Sequence, residues 1–340
     1  MGRWPYTFGA LIAGGIGLTA LMTSYLLDMP VKDPDGFLGP AYIRLPVMGL
    51  IFFAADIFPR AIKYKAPGNY FNRISALLRD QWSWMRVANV IAGLLVFYVS
   101  YVGYRNLKSF LPIVREEVLL DDKLMVLDYL IFLGNYPAVL FHDWFGVGFL
   151  AQFLSVIYIS YLILIPVSLA AMLVWKTDVS LGAWYSTALA LNWILGVFSY
   201  YLVPSLGPTY IAPQMFQDLP VSGVTALQQS LFEARIDFLA DPTESDRIHG
   251  IAGFASLHVS VVFTAALFFT RIGANRLLRY FLWVYLMLTG IATMYFGWHY
   301  FADVLAGLLI GWLAVGISAW ASGNQGFHAL KRKGSAANAP

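Results

Sequence analysis

Five histidines, His142, His249, His258, His299 and His328, are the side chains of this 340-residue sequence best suited to chemistry near neutral pH. His299 and Asp303 are four positions apart, a spacing that on a helix sets imidazole and carboxylate on one face, one turn apart. The carboxylate can then accept the proton of one ring nitrogen and fix the tautomer, leaving the other nitrogen free as a nucleophile. A second histidine close by could donate a proton to a leaving group. His258, in Phe254-Ala255-Ser256-Leu257-His258, is the candidate. Two plainer readings stand beside this one. A His/Asp pair can satisfy itself inside a helix bundle. Two histidines and an aspartate could also hold zinc, although no glutamate joins them in the His-Glu-x-x-His spacing. His142, beside Trp144, reads as an interfacial anchor, and His328 lies in a basic tail.

The elements that must hold these residues are those of a membrane protein. The chain is 59% hydrophobic and only 12% charged, with mean hydropathy +0.66. An ordinary soluble domain carries about 25% charged residues. That deficit excludes a soluble globular enzyme, a disordered chain and a nucleic-acid binder. A net charge of +3 is too mild to argue for an anionic polymer as partner. Cysteine is absent, which removes disulfides, thiolate ligands and a cysteine nucleophile. Apolar runs near 7–27, 41–58, 87–104, 146–173, 181–203, 254–270, 280–296 and 303–321 make eight candidate spans. Their continuity points to helices, not to the alternating strands of a β-barrel. The expected fold is therefore an all-α polytopic membrane protein with about eight transmembrane helices.

Lysine and arginine set the orientation. Fourteen fall on the face carrying the N-terminus and seven on the other, with Arg44 inside the second span. This places both termini in the cytoplasm and both His258 and His299 at the extracytoplasmic ends of their helices. Ionisable residues at membrane depth are expensive and signal function by default. Segment 105–145, with Lys108, Glu116, Glu117, Asp121, Asp122, Lys123 and Asp128, is expected to lie along the interface as one or two amphipathic helices. Segment 204–252 begins with the rigid run Pro204-Ser205-Leu206-Gly207-Pro208-Thr209-Tyr210 and is long enough to cover a site. Segment 59–86 is basic and carries Trp82 and Trp84, which suits a cytoplasmic surface facing anionic headgroups or a topology signal alone. The polar tail 322–340 is expected to be disordered and cytoplasmic.

Ser256-Leu257-His258 followed by Tyr295-x-Gly297-x-His299-Tyr300-x-x-Asp303-Val304-Leu305-Ala306-Gly307 resembles the second and third signature motifs of the type 2 phosphatidic acid phosphatase superfamily. The resemblance covers about 87–321 and implies a six-helix catalytic core, preceded in 1–86 by two added helices and the basic segment. It departs from the pattern in three places. Ala255 replaces a proline, Ala292-Thr293 replaces the Ser-Arg pair that clamps phosphate, and no first motif of the Lys-x6-Arg-Pro type is present. Those losses, the 105–112 stretch and the 204–210 run resemble the branch containing inositol phosphorylceramide synthases.

The resemblance implies catalysis by His299 as nucleophile, Asp303 as its orienting carboxylate and His258 as proton donor, through a phosphohistidine. Ser256, Tyr295 and Gly297 would help bind substrate, and the role of the absent first motif would be filled by Lys108 and Arg105, or by Arg247 or His249. The plain readings are snorkelling for Lys108 and Arg105, a solvated loop for Arg247 and His249, and an N-cap for Ser256. The scheme needs no metal or cofactor, and Gly250–Gly253 lacks the Lys-Ser/Thr ending of a nucleotide loop. The expected partners are a phospholipid or polyprenyl phosphate donor, an alcohol or glycolipid acceptor and the plasma membrane itself. A phosphatase acting on phosphatidate, phosphatidylglycerol phosphate or a polyprenyl pyrophosphate is the alternative. A transporter is the less favoured one, because no repeated halves are visible.

Overall fold

The computed structural model describes residues 4–34, 39–67, 69–115, 118–243, 248 and 250–325, and these residues form helices and no strands. α1 (Thr7–Leu27), α2 (Ala41–Lys63), α3 (Tyr70–Gln81) and α4 (Trp84–Val114) come first. α5 (Asp121–Ile131) and α6 (Pro137–Phe145) are short, and α7 (Phe149–Trp175) and α8 (Val179–Leu202) are long. A single turn, α9 (Pro208–Ile211), leads through a 3-10 turn to α10 (Gly223–Ala240). α11 (Leu257–Arg271), α12 (Arg276–Tyr295) and α13 (Phe301–Ala321) complete the bundle.

The chain is a polytopic helical membrane protein. Among the described residues seven helices, α1, α2, α4, α7, α8, α12 and α13, are long and apolar enough to cross a bilayer. α8 lies at the centre, packed against α1, α4, α7, α11 and α13. Its residues are buried on almost every side, Trp184, Tyr185 and Asn192 among them. A helix that is apolar all round must be enclosed in this way. α1 instead leaves Leu11, Leu18, Leu21 and Met22 exposed, as a lipid-facing helix does.

The eighth expected span, α11, has only 15 residues. At 1.5 Å per residue it rises about 22 Å, against a hydrocarbon core of about 30 Å. Residues 250–256, which lead into it, are not helical. Non-helical backbone at membrane depth is tolerated only where the protein satisfies its polar groups. Here the N–H groups of Gly253, Phe254, Ala255 and Ser256 donate in turn to Ser205 O, Ser205 Oγ, Ser199 Oγ and Asp303 O, at 2.7, 2.9, 2.9 and 3.0 Å.

α4 corrects the expected interfacial segment. The helix does not end near residue 104 but runs ten residues further, so Arg105 and Lys108 lie within it and not in a connection. Leu107, Phe110 and Leu111 continue the buried apolar face past the two charges, and helix periodicity outlasts them. α5 and α6 occupy the remainder of that segment as two helices. At the other end of the bundle, α3 packs on α2 through Leu77, Ile57 and Ala61, and Asp56 pairs with Arg60 at 2.9 Å. Arg44, at the start of α2, donates to Pro34 O at 2.7 Å.

Candidate active site

Small residues bring the two histidine-bearing helices together. A Cβ on Gly307 would stand 2.5 Å from the Ser256 carbonyl oxygen, and one on Gly311 would stand 2.7 Å from that of Ser260. Only glycine permits such backbone approach. The contacts advance in step along both helices, so α11 and α13 run parallel and start at the same end of the bundle. Asn192 of α8 fixes α11 from the other side, accepting from Ser260 Oγ and donating to Thr264 Oγ1.

His299 and Asp303 meet across a helix start. α13 begins at Phe301, so His299 lies in the preceding turn, and its Nδ1–H donates to Asp303 Oδ2 at 3.2 Å. The Tyr300 N–H donates to the same oxygen at 3.0 Å. Asp303 is fully buried and His299 is 6% exposed. Asp303 Oδ1 has no hydrogen-bond partner among the described residues.

His258 is held by different means. Its ring lies 4.3 Å from that of Tyr158, nearly parallel to it, and 4.4 Å from that of Tyr161. Tyr158 stacks in turn on Trp298, with centroids 5.4 Å apart and planes 3° from parallel. The imidazoles of His258 and His299 are 6.0 Å apart, centroid to centroid. Both can touch one phosphoryl-sized group.

Two acidic residues of α5 buttress this arrangement. Asp121 accepts from Leu206 N–H, Gly207 N–H and Tyr300 O–H, at 3.0, 2.9 and 2.9 Å. Asp128 accepts from Phe301 N–H at 3.1 Å with both oxygens. Each side chain satisfies donors that would otherwise be orphaned near the start of α13. The 204–210 run ties both histidine loops together. Ser205 holds 253–254, while Thr209 N–H donates to Gly297 O at 2.9 Å. Gly207 has φ +101° and its Cα faces the Trp298 carbonyl, so any side chain would collide there. Burial pushes the Asp128 carboxyl up to about 7, the Phe301 N–H opposing this and nearby Asp303 adding to it.

The structure brings together His258, His299 and Asp303. Lys108 joins them. It is 9% exposed, and its Nζ sits 5.0 Å above the Tyr200 ring, within electrostatic range of His258. No carboxylate among the described residues pairs with it. Arg105 is half-buried one turn back on α4, its Nε without a hydrogen-bond partner. Ser256 caps α11, its Oγ accepting from Val259 N–H at 3.4 Å, which is the plain reading of that residue. Tyr295 is tied elsewhere: its hydroxyl donates to Gly146 O and its carbonyl accepts from His142 Nε2, both at 2.8 Å. His142 is therefore a joint between α6 and α12. Gly297 faces the Phe216 ring. Arg247 and His249 lie outside the described residues, as do Glu116, Glu117 and the tail from 326. Thr293, at the position of the lost arginine, is fully buried, its hydroxyl bonded to Gly290 O.

Sequence reasoning missed Tyr158, Tyr161, Asp121 and Asp128 as parts of the site. The two acids stand seven positions apart on α5, two turns along one face, a signal that was available and that read as a solvated edge. The tyrosines carried no signal in an aromatic-rich span. A small crevice, with room for about one water, opens beside His299, bounded by Asp128, Tyr136, Met215, Met294 and Tyr300. Among the described residues no three His, Asp or Glu side chains cluster as metal ligands would.

Residues 123–317 match the PAP2 superfamily, more than half of the chain. The chain belongs to the PAP2 superfamily. Membership makes it an enzyme of the lipid phosphatase or phosphotransferase type, acting on lipid phosphates within the membrane. No curated protein and no solved structure matches it.

Proposed function

We propose that the chain is a membrane phosphotransferase that moves a phosphoryl headgroup from a lipid donor to an alcohol acceptor by double displacement, in the manner of inositol phosphorylceramide synthases. The observation that carries the reading is the convergence of two imidazoles 6.0 Å apart, one of them braced by a buried carboxylate. With Nδ1 engaged by Asp303, His299 presents Nε2 to phosphorus. The N–P bond forms as the P–O bond to the lipid breaks, and the departing oxygen takes its electron pair and a proton from His258. The acceptor alcohol then gives its proton to His258 and its oxygen attacks phosphorus, releasing His299. Asp303 offsets the positive charge that His299 acquires. Lys108, a buried cation with no carboxylate among the described residues paired with it, takes the place of the missing arginine as the counter-charge for the phosphoryl oxygens. A buried unpaired charge is costly, and an anionic substrate relieves that cost.

Transfer is favoured over hydrolysis by the cover. His299 is 6% exposed, enclosed by the 204–210 run and by α5, and keeping water from a phosphoenzyme requires such a cover. The catalytic unit is 87–321, with 1–86 an addition, the site extracytoplasmic and both termini inside the cell at the plasma membrane. Purified protein given a head-labelled phospholipid should pass label to an added long-chain alcohol or a glycolipid, and acid-labile label should be trapped on His299. Release of inorganic phosphate as the sole product would establish the phosphatase instead. Vanadate should inhibit and EDTA should not.

A further inference from the structure

Lys108 is held at the site without a counter-ion. No carboxylate among the described residues pairs with it, and ring faces stand beside it instead. Its Nζ lies 5.0 Å from the centroid of the Tyr200 ring and 6.0 Å from that of Tyr104. A cation over a ring face is attracted by the ring quadrupole, most strongly where water is excluded. Lys108, Tyr104 and Tyr200 are all buried.

The two rings are themselves fixed. Tyr104 is four residues before Lys108 on α4, so ring and ammonium share one face, one turn apart. Tyr104 stacks on Trp193, with centroids 5.1 Å apart, and tilts against Tyr200 at 6.2 Å. Tyr200 comes from the central helix α8, and the residue after it sets the register: the Tyr201 hydroxyl donates to Leu107 O at 2.7 Å. Leu107 immediately precedes Lys108, so α8 is pinned to α4 at the level of the cation.

A firm holder matters because a competing partner lies close. Asp303 is fully buried, and its Oδ1 has no hydrogen-bond partner among the described residues. Tyr200 lies within electrostatic range of it. A lysine has a flexible four-carbon stem and three donors, and opposite charges attract strongly where the dielectric is low. Pairing of Nζ with Oδ1 would remove two things at once, the charge offered to phosphoryl oxygens and the carboxylate that orients His299. An aromatic face avoids both losses. It attracts a cation and carries no net charge, so the positive charge stays available to an anion.

We propose that Tyr200, helped by Tyr104, is the positioning residue of Lys108: its ring holds the ammonium group at the site with the charge intact and keeps it from pairing with Asp303. This rests on the reading of Lys108 as the counter-charge and adds how that charge is kept free.

The test measures affinity for vanadate, as Ki against turnover of a head-labelled phospholipid and, without turnover, as the rise in the unfolding midpoint. It compares the wild type with Tyr200→Phe, with trifluorophenylalanine placed at position 200, with Tyr200→Leu, with Lys108→Met and with the double variant Tyr200→Leu/Lys108→Met. Fluorine drains charge from the ring face and nearly keeps the shape of phenylalanine. Tyr200→Phe should bind vanadate within about twofold of the wild type, the fluorinated ring about 3- to 10-fold more weakly than Tyr200→Phe, and Tyr200→Leu about tenfold more weakly than the wild type. In the Lys108→Met background Tyr200→Leu should cost nothing further. Equal affinity with the plain and the fluorinated ring overturns the proposal, as does a Tyr200→Leu loss that persists in full without Lys108. A Lys108→Met variant that binds vanadate as the wild type does removes the counter-charge reading and this inference with it. A loss in Lys108→Met that neither Tyr200→Leu nor the fluorinated ring reproduces leaves that reading standing and strikes only Tyr200.

Discussion

The two histidines face each other but are held by different physics. His299 is fixed by hydrogen bonding: Asp303 engages one ring nitrogen, and Asp303 is itself set by Tyr300 N–H. His258 is fixed by shape, between the rings of Tyr158 and Tyr161. A directional bond commits one nitrogen and leaves the other with a defined lone pair, as a nucleophile requires. An aromatic clamp restrains the plane of the ring and leaves its nitrogens uncommitted to the clamp, as a group that must give up and regain a proton requires. The contrast supports the proposed division of roles, nucleophile for His299 and proton donor for His258, on grounds separate from the motifs.

Breaking the His299 half should cost most. His299→Ala should lower turnover by at least about 10³-fold, and Asp303→Asn by about 10²–10⁴-fold, with the variants still folded. Turnover within tenfold of wild type in either would remove the distinction. Removing the counter-charge comes next. Lys108→Met should reduce kcat/KM by about 10- to 100-fold while raising thermal stability, since it replaces a buried charge by a similar apolar chain. A variant that loses stability and keeps activity would make Lys108 structural. The aromatic clamp should show a smaller, graded effect. Tyr158→Leu is expected to cost about tenfold in kcat through loosened orientation, and Tyr158→Phe, which keeps the stacking face, should restore most of it. Equal losses in both would mean that the hydroxyl matters and the face does not.

The smallest effect concerns stability and pH. The Asp128 carboxyl is pushed up to about 7, from an ordinary 3.8 in the unfolded chain. Between those values the folded protein keeps a proton that the unfolded chain has lost. Asp128 therefore lowers stability as pH rises from about 4 to about 7, and the cost is complete above that. Asparagine cannot ionise, so the unfolding midpoint of Asp128→Asn should gain on the wild type between pH 5 and pH 8, by about 2–4 °C for each kcal/mol involved. A difference that does not change with pH would show that burial does not hold the proton there.

The spans were legible because apolar runs of bilayer length have few alternatives in lipid. The first was bounded at its observed residues, Thr7–Leu27, and six others to within a few residues at most ends. α4 was cut short because two charges look like the end of a span, although a helix carries charges where protein and not lipid surrounds them. Asp128 and Asp121 looked like the wet face of an interfacial helix. Amphipathic spacing states which residues share a face, and not what covers that face.

Local sequence was enough for the long helices and the His299–Asp303 pair, because each depends on neighbours within a turn or on a single bilayer-long run. It could not reveal that glycines at 307 and 311 bring α11 against α13, that tyrosines on α7 grip His258, or that α5 folds its acids under the start of α13. Those contacts join residues about 50 to 180 positions apart. They exist because buried polar backbone must find partners wherever the fold brings them, and that choice is made by packing in three dimensions.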